Sequence, residues 1–403
     1  MEIWKRNLYV LCAASFVVMM AMSMIMPFLP LYIHQDFGIE NEEQVTLWAG
    51  IIFGSNFLTA GIVSPIWGSL ADRYGRKIMV LRSGFFMAIT VAFTGFAQNV
   101  WQLLALRLLN GTISGFIPAS TALVASSAPR EQIGWAQGIL QSSVVAGSIM
   151  GPLLGGILAD KIGFRMIFGF TGGLLLLATL IVLVTVKEEF VKSEAKERTS
   201  FREDTRWIFS RKPLPSIFGV TVMIQFALLS IVPVLPIYVQ SLMGSAENVA
   251  LYSGIVASAM GIANVIASPQ LGKLGDRFGS NKVLLFCLIA AGLLFIPQAM
   301  VTDIWQLVAL RFLLGLCLGG LLPSVNALLR RETPSHMVSR VYGYNNSFVS
   351  LGNLLGPITG GFIAGAVSLR SVFFVTSALL FLNAIWVAFS LYNAPLEKEG
   401  NQL

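Results

Sequence analysis

Charge is what this sequence has least of. Asp, Glu, Lys and Arg make up 12% of its 403 residues, about half of the ~25% usual in a globular chain. Hydrophobic residues make up 55%, and the mean hydropathy is +0.75. A water-facing surface cannot be built from so few polar side chains, so the chain belongs in a lipid bilayer. Cysteine is nearly as scarce: Cys12, Cys287 and Cys317 lie in apolar runs without a CxxC pair or a nearby histidine. That excludes a disulfide framework and a zinc site, and leaves them as small hydrophobes between helices. The two histidines, His34 and His336, fall in loops on opposite sides. No nucleophile and base, or paired acids with histidine, can therefore be assembled, and neither an enzyme nor a metal centre is expected. A GxxxxGK[ST] loop is also missing, which excludes ATP as the energy source, and no cofactor is expected.

What the sequence has in abundance is long uncharged runs. Twelve intervals of about 18 residues or more lack Asp, Glu, Lys and Arg: 8–35, 44–71, 83–106, 108–129, 132–159, 166–186, 213–246, 248–272, 283–302, 312–329, 341–369 and 371–396. Each can hold a spanning helix. The turn Ala97-Gln98-Asn99-Val100 ends span three, and span four begins near Trp101 with Arg107 inside it. The first run, 26 residues from Leu8 to Ile33, is too long for the apolar region of a cleaved signal peptide and reads as a retained helix.

Twelve crossings put both ends of the chain on one side. Of 27 Lys and Arg, 22 lie at the termini or in the loops on that side, three (Lys161, Arg165, Arg370) lie in the opposite loops, and Arg107 and Arg311 lie within spans. The bias predicts cytoplasmic termini. The net charge of +7 is then a signature of topology, and no nucleic-acid partner is expected. Residues 187–212 carry eight basic and six acidic side chains and read as a solvated cytoplasmic linker, compatible with a surface-lying helix. The expected organisation is all-α and integral to the membrane: a six-helix bundle over 1–186, a linker over 187–212 and a second six-helix bundle over 213–403.

The two bundles read as copies. Ser64-Pro65-Ile66-Trp67-Gly68-Ser69-Leu70-Ala71-Asp72-Arg73-Tyr74-Gly75 recurs as Ser268-Pro269-Gln270-Leu271-Gly272-Lys273-Leu274-Gly275-Asp276-Arg277-Phe278-Gly279, 204 residues on. Trp101-Gln102-Leu103-Leu104-Ala105-Leu106-Arg107 recurs at the same offset as Trp305-Gln306-Leu307-Val308-Ala309-Leu310-Arg311. Gly147, Gly151-Pro152 and Gly155-Gly156 recur as Gly352, Gly356-Pro357 and Gly360-Gly361, and Pro27 and Pro30 find Pro233 and Pro236. Duplicated units of the same orientation, related by pseudo-twofold symmetry, fit two bundles that rock about a midplane site. Gly147 and Gly151 would let helices approach closely, and Pro152 would bend span five.

These motifs resemble a known family. Gly68-Ser69-Leu70-Ala71-Asp72-Arg73-Tyr74-Gly75-Arg76-Lys77 is similar to the signature loop of the major facilitator superfamily. Gly147-x3-Gly151-Pro152-x2-Gly155-Gly156 resembles its antiporter motif. The segments Trp4-Lys5-Arg6-Asn7-Leu8, Pro27-Phe28-Leu29-Pro30-Leu31-Tyr32 and Tyr344-Asn345-Asn346-Ser347-Phe348 narrow the resemblance to twelve-span bacterial drug:proton antiporters. The resemblance implies multidrug efflux through the bacterial cytoplasmic membrane, with small molecules and protons as partners, by a chain acting as a monomer. It also implies a part in proton coupling for the arginine of Arg107-x3-Gly111-x3-Gly115.

The residues themselves supply a chemical reading. Asp72 can accept hydrogen bonds from a neighbouring helix N-terminus and pair with Arg73 or Arg76, forming with Gly68, Gly75 and Lys77 a cytoplasmic latch. The second copy keeps Asp276 and Arg277 but has Ser280 and Asn281 further on, and is expected to be weaker. Arg107 lies about one and a half turns into span four, and an intramembrane arginine is read as functional. No acid falls at a span centre: where many drug antiporters place one in span one, this chain has Met19, Met20, Met22, Met24 and Met26. Coupling is therefore expected to pass through Arg107 while an edge acid, Asp160 or Asp36, titrates; Asp72 and His34 are the alternatives. A cavity of Met22, Met26, Phe57, Phe116, Gln141, Gln225, Phe226, Asn326, Asn345 and Phe348 would suit amphipathic neutral or cationic ligands. The expected function is secondary active efflux of drugs or other toxic molecules by alternating access. The alternative is export of an endogenous metabolite, siderophore or lipid by the same fold. A ligand sensor would call for an added cytoplasmic domain, for which the linker leaves no room.

Overall fold

The computed structural model describes residues 2–129, 132–188, 201–211, 213–244, 248–334 and 337–392. Those residues form helices, twelve of them long and apolar enough to cross a membrane: Ile3–Met24, Glu42–Ser64, Arg76–Thr94, Val100–Ser127, Trp135–Ile162, Phe164–Thr185, Pro213–Met243, Val249–Phe278, Ser280–Gln298, Ile304–Arg331, Arg340–Ala366 and Leu369–Ser390. They are called spans one to twelve in that order. Within the linker, Phe201–Ser210 is a short helix whose Ile208 is fully buried.

Local chemistry sets the ends. Asn41, Asn99, Asp303 and Ser368 each accept a backbone N–H of the following first turn and so start spans two, four, ten and twelve. Gly75 and Gly279 turn the chain between spans two and three and between eight and nine with φ of 99° and 100°, a region that favours glycine.

Four spans are broken, at matching places in the two copies. Pro27 and Pro30 cannot donate backbone hydrogen bonds, and span one gives way after Met24 to a 3-10 turn, Met26–Phe28, before the short helix Leu29–Asp36. Around Pro233 and Pro236, span seven breaks between Ser230 and Leu235. Span four breaks between Ile113 and Phe116 at Gly115, with φ 129°, and span ten between Leu318 and Leu321 at Gly319-Gly320. Spans five and eleven remain continuous through Pro152 and Pro357.

The packing repeats as the sequence does. Spans one and five lie together where a side chain on Gly147, Gly151 or Gly155 would strike the backbone or Ser23 of span one, and Gly352, Gly356 and Gly360 press on span seven in the same way. Tyr32 Oη donates to the Thr94 carbonyl at 3.1 Å, and its copy Tyr238 donates to the Gln298 carbonyl at 2.8 Å.

Candidate functional site

Between the first six spans and the last six run two seams, and both are tight at the end of the bundle away from the termini. On one, spans two and eleven meet: a Cβ on Gly50 would strike the carbonyl of Pro357, and one on Gly361 the carbonyl of Thr46. On the other, spans five and eight meet through Gly156 against Ala250 and Gly254 against Pro152. The antiporter-like motif is therefore divided in its work. Gly147, Gly151 and Gly155 build the first bundle, whereas Pro152 and Gly156 face the second. Backbone approach of this kind needs glycine because a carbonyl cannot move aside for a methyl group.

Toward the terminal end the seams part. Gly61 only reaches Ser350, at 4.0 Å, and Gly68, Gly138, Gly272 and Gly343 have nothing within 4 Å of where a Cβ would lie. The close backbone approach of the two bundles is thus confined to the far end, and toward the termini these glycines face open space.

The signature loop lies at the open end. Gly75 makes its turn, and the helix beginning at Arg76 is capped by Glu188, whose carboxylate accepts the backbone N–H of Arg76 at 3.0 Å and of Lys77 at 2.8 Å. The capping role expected of Asp72 is filled at this helix by an acid from the linker; the Asp72 side chain itself lies outside the described residues. Lys77 Nζ donates to the Leu183 carbonyl at 3.0 Å. Arg73 lies 5.4 Å from the ring centre of Tyr74, and Arg277 5.3 Å from that of Phe278. Asp276 is exposed.

Arg107 is buried within the first bundle, and its Nε and Nη2 have no hydrogen-bond partner among the described residues. Arg311 repeats this arrangement in the second bundle, with Nη1 3.7 Å from the Met260 sulfur and its guanidinium 5.9 Å from the centre of the Phe373 ring. A third intramembrane arginine was not foreseen. Span three starts at Arg76, so Arg82 lies inside it, with its guanidinium 3.3 Å from the centre of the Trp67 ring and Nη2 donating to the Ser114 carbonyl at the break of span four. The count of charge-free intervals placed Arg82 just outside span three. The helix start near Gly75 was the signal that would have corrected it.

The two edge acids differ in their partners. Asp36 is paired with Arg165 at 2.8 Å, an ion pair within the first bundle. Asp160 crosses between bundles and accepts the backbone N–H of Leu251, in the first turn of span eight, at 3.0 Å. Both acids line a cleft of about 670 Å³ at the far end, with Gln35, Arg165 and Asn248.

Of the residues expected to line the cavity, Gln141 and Asn326 are exposed, Met26 is 38% exposed, and Met22, Phe57, Gln225 and Phe226 are half-buried. Phe116 is a correction: it follows the Gly115 break and is fully buried inside the first bundle. Asn345 is another, because its side-chain carbonyl accepts the Thr221 hydroxyl at 3.0 Å and so joins spans seven and eleven. Phe348 stacks on Phe218 at 4.9 Å and packs against Phe209 of the linker helix. For such residues, polarity and aromaticity alone could not separate a cavity face from an interhelical one.

A twelve-helix bundle with duplicated glycine seams, shut at one end and open at the other, defines a membrane transporter. The chain matches the Major Facilitator Superfamily over residues 11–265 and 250–402, and it belongs to that superfamily. It is 43% identical to the multidrug resistance protein MdtG of Serratia proteamaculans (strain 568) over 99% of this chain and 97% of that one. It is also 43% identical to MdtG of Enterobacter lignolyticus (strain SCF1), over 96% and 93%. In fold it is similar to a bacterial homologue of the human lysosomal transporter Spinster in its inward-facing, unoccupied conformation (TM-score 0.80, 17% identity, 96% of both chains). The nucleoside transporter NupG is similar too (TM-score 0.79, 15% identity, 96% of this chain and 99% of that one).

Proposed function

We propose that this protein is a secondary active efflux transporter that moves amphipathic drugs or other toxic small molecules out of a bacterial cell, in exchange for protons and as a monomer. The observation that carries the reading is the pair of glycine seams, shut at one end of a gap that is open at the other. Identity to MdtG proteins along the whole chain supports drugs as the cargo. With both termini cytoplasmic, as the distribution of Lys and Arg favours, this conformation faces inward. The bodies that rock are residues 1–186 and 213–403, joined by 187–212, and the loop Gly68 to Lys77 shuts the cytoplasmic side in the opposite state.

Proton coupling passes through Arg107. Its unpaired donors leave it free to exchange partners, and a fixed cation in low dielectric disfavours a proton and a cationic drug together, so the two compete. Of the edge acids, Asp160 fits the titrating role better than Asp36, since it alone bridges parts that must separate. In cells overproducing the protein, accumulation of a fluorescent lipophilic cation should fall several-fold, and a protonophore should restore it. Unchanged dye accumulation together with altered export of a native metabolite would favour the alternative cargo.

A further inference from the structure

The two seams are closed by different means. Across spans five and eight run two hydrogen bonds: Leu251 N–H to Asp160 at 3.0 Å, and the Ser258 hydroxyl to the Ile149 carbonyl at 2.8 Å. Across spans two and eleven the far-end contact is glycine against backbone, Gly50 on Pro357 and Gly361 on Thr46, and the Thr46 hydroxyl turns back to carbonyls of its own helix. Glycine contacts hold shape, but they have little directional preference and can slide.

The Asp160 bond has a further peculiarity. Of the helices that start at the far end, spans two, four, ten and twelve are capped by their own Asn41, Asn99, Asp303 and Ser368, and span six starts at Gly163 with no side-chain cap. Span eight has the right kind of residue before it, Asn248, but that residue has φ 58° and its side chain makes no capping bond. The cap comes instead from Asp160 of the other bundle. An ionised carboxylate suits the positive end of a helix, and the bond is charge-assisted. It also must break whenever spans five and eight separate. The neighbouring charges are Asp36 and Arg165, already paired with each other, and the cleft beside them gives water a route to both halves of the bond.

We propose that Asp160 is a positioning residue of the outer gate: by capping span eight in trans it sets the balance between the far-end-closed and far-end-open states, and the seam between spans two and eleven follows. The inference rests on the alternating-access reading, but its test does not depend on transport.

With the native cysteines replaced, spin labels at Gln98 and Thr302 report the far end, and labels at Ser126 and Arg331 the terminal end. Distances are measured in lipid nanodiscs without substrate or gradient. Asp160→Ala should raise the ratio of far-end-open to far-end-closed molecules roughly tenfold, the effect of losing a hydrogen bond to a charged group. The far-end pair should lengthen as the terminal pair shortens. Asp160→Asn keeps an acceptor and the native volume, so it should fold and move the ratio about threefold. Lys161→Ala should leave both distances unchanged. Adding Asn248→Asp to Asp160→Ala restores a negative charge at the start of span eight without restoring the bridge, and should leave the gate open. Native distances in both Asp160 variants, or a change at one end only, would overturn the proposal. So would a return to the closed state in the double variant, which would make the effect one of charge at the start of span eight rather than of a bridge between the bundles. Any of these results could coexist with normal dye efflux, so failure here is distinct from failure of the efflux reading.

Discussion

Buried arginines are the residues where the sequence spoke most plainly and least completely. Arg107 and Arg311 were legible because charge is so rare in this chain that a lone cation inside a run stands out. What they face was not, since their surroundings come from spans distant in sequence. The structure gives both the same unpaired Nε and Nη2. A residue serving only bundle geometry should behave alike in both copies, whereas a coupling residue should not. Arg107→Ala should abolish the dependence of efflux on a pH gradient while dye binding changes less than about threefold. Arg311→Ala should lower the protein's thermal stability or expression without uncoupling it. Equal uncoupling in both variants, read from efflux at several imposed gradients, would assign the role to the symmetric pair instead.

Among elements, spans five and eleven carry the most information. Their glycine spacing was legible as close packing, and the duplication located it twice. Which glycine meets which neighbour was not legible, because a single residue step, about 100° around the helix, separates a residue facing its own bundle from one facing the other. Gly155 and Gly156 are adjacent, yet the first presses on Met24 of span one and the second on Ala250 of span eight. Gly156→Val should therefore hold the far end ajar and reduce flux by at least about tenfold, with ligand still bound by the purified protein. Gly155→Val should lower stability and binding together. Flux, binding and melting temperature measured on the same preparations separate these outcomes. The break of span four was invisible in advance, since an isolated glycine is compatible with a continuous helix; that of span ten carried a signal in the Gly319-Gly320 pair, inside a charge-free run that read as one helix.

For the whole molecule, twelve spans and a twofold repeat could be read from charge intervals and offsets of 204 to 206 residues. Both are properties of composition and order, which do not change as the bundles move. The access state could not be read, because one sequence must encode the open and the shut form, and glycines that seal the far end here have to release it in the other. Orientation is checked by labelling single cysteines: Ser193→Cys should react with an impermeant reagent only from the cytoplasmic side, and Asn248→Cys only from outside. The reverse pattern would invert every gate assignment.

Exchange of drug for protons by two rocking bundles can be watched in a single reconstituted system. Purified protein is reconstituted into liposomes loaded with a fluorescent cationic dye, and a pH gradient is imposed without ATP. Dye movement should accelerate several-fold when protons run opposite to the dye, reverse with the gradient, and vanish in Gly156→Val. Dye movement at the same rate whatever the gradient's direction or size would contradict antiport and leave a facilitated exporter in its place.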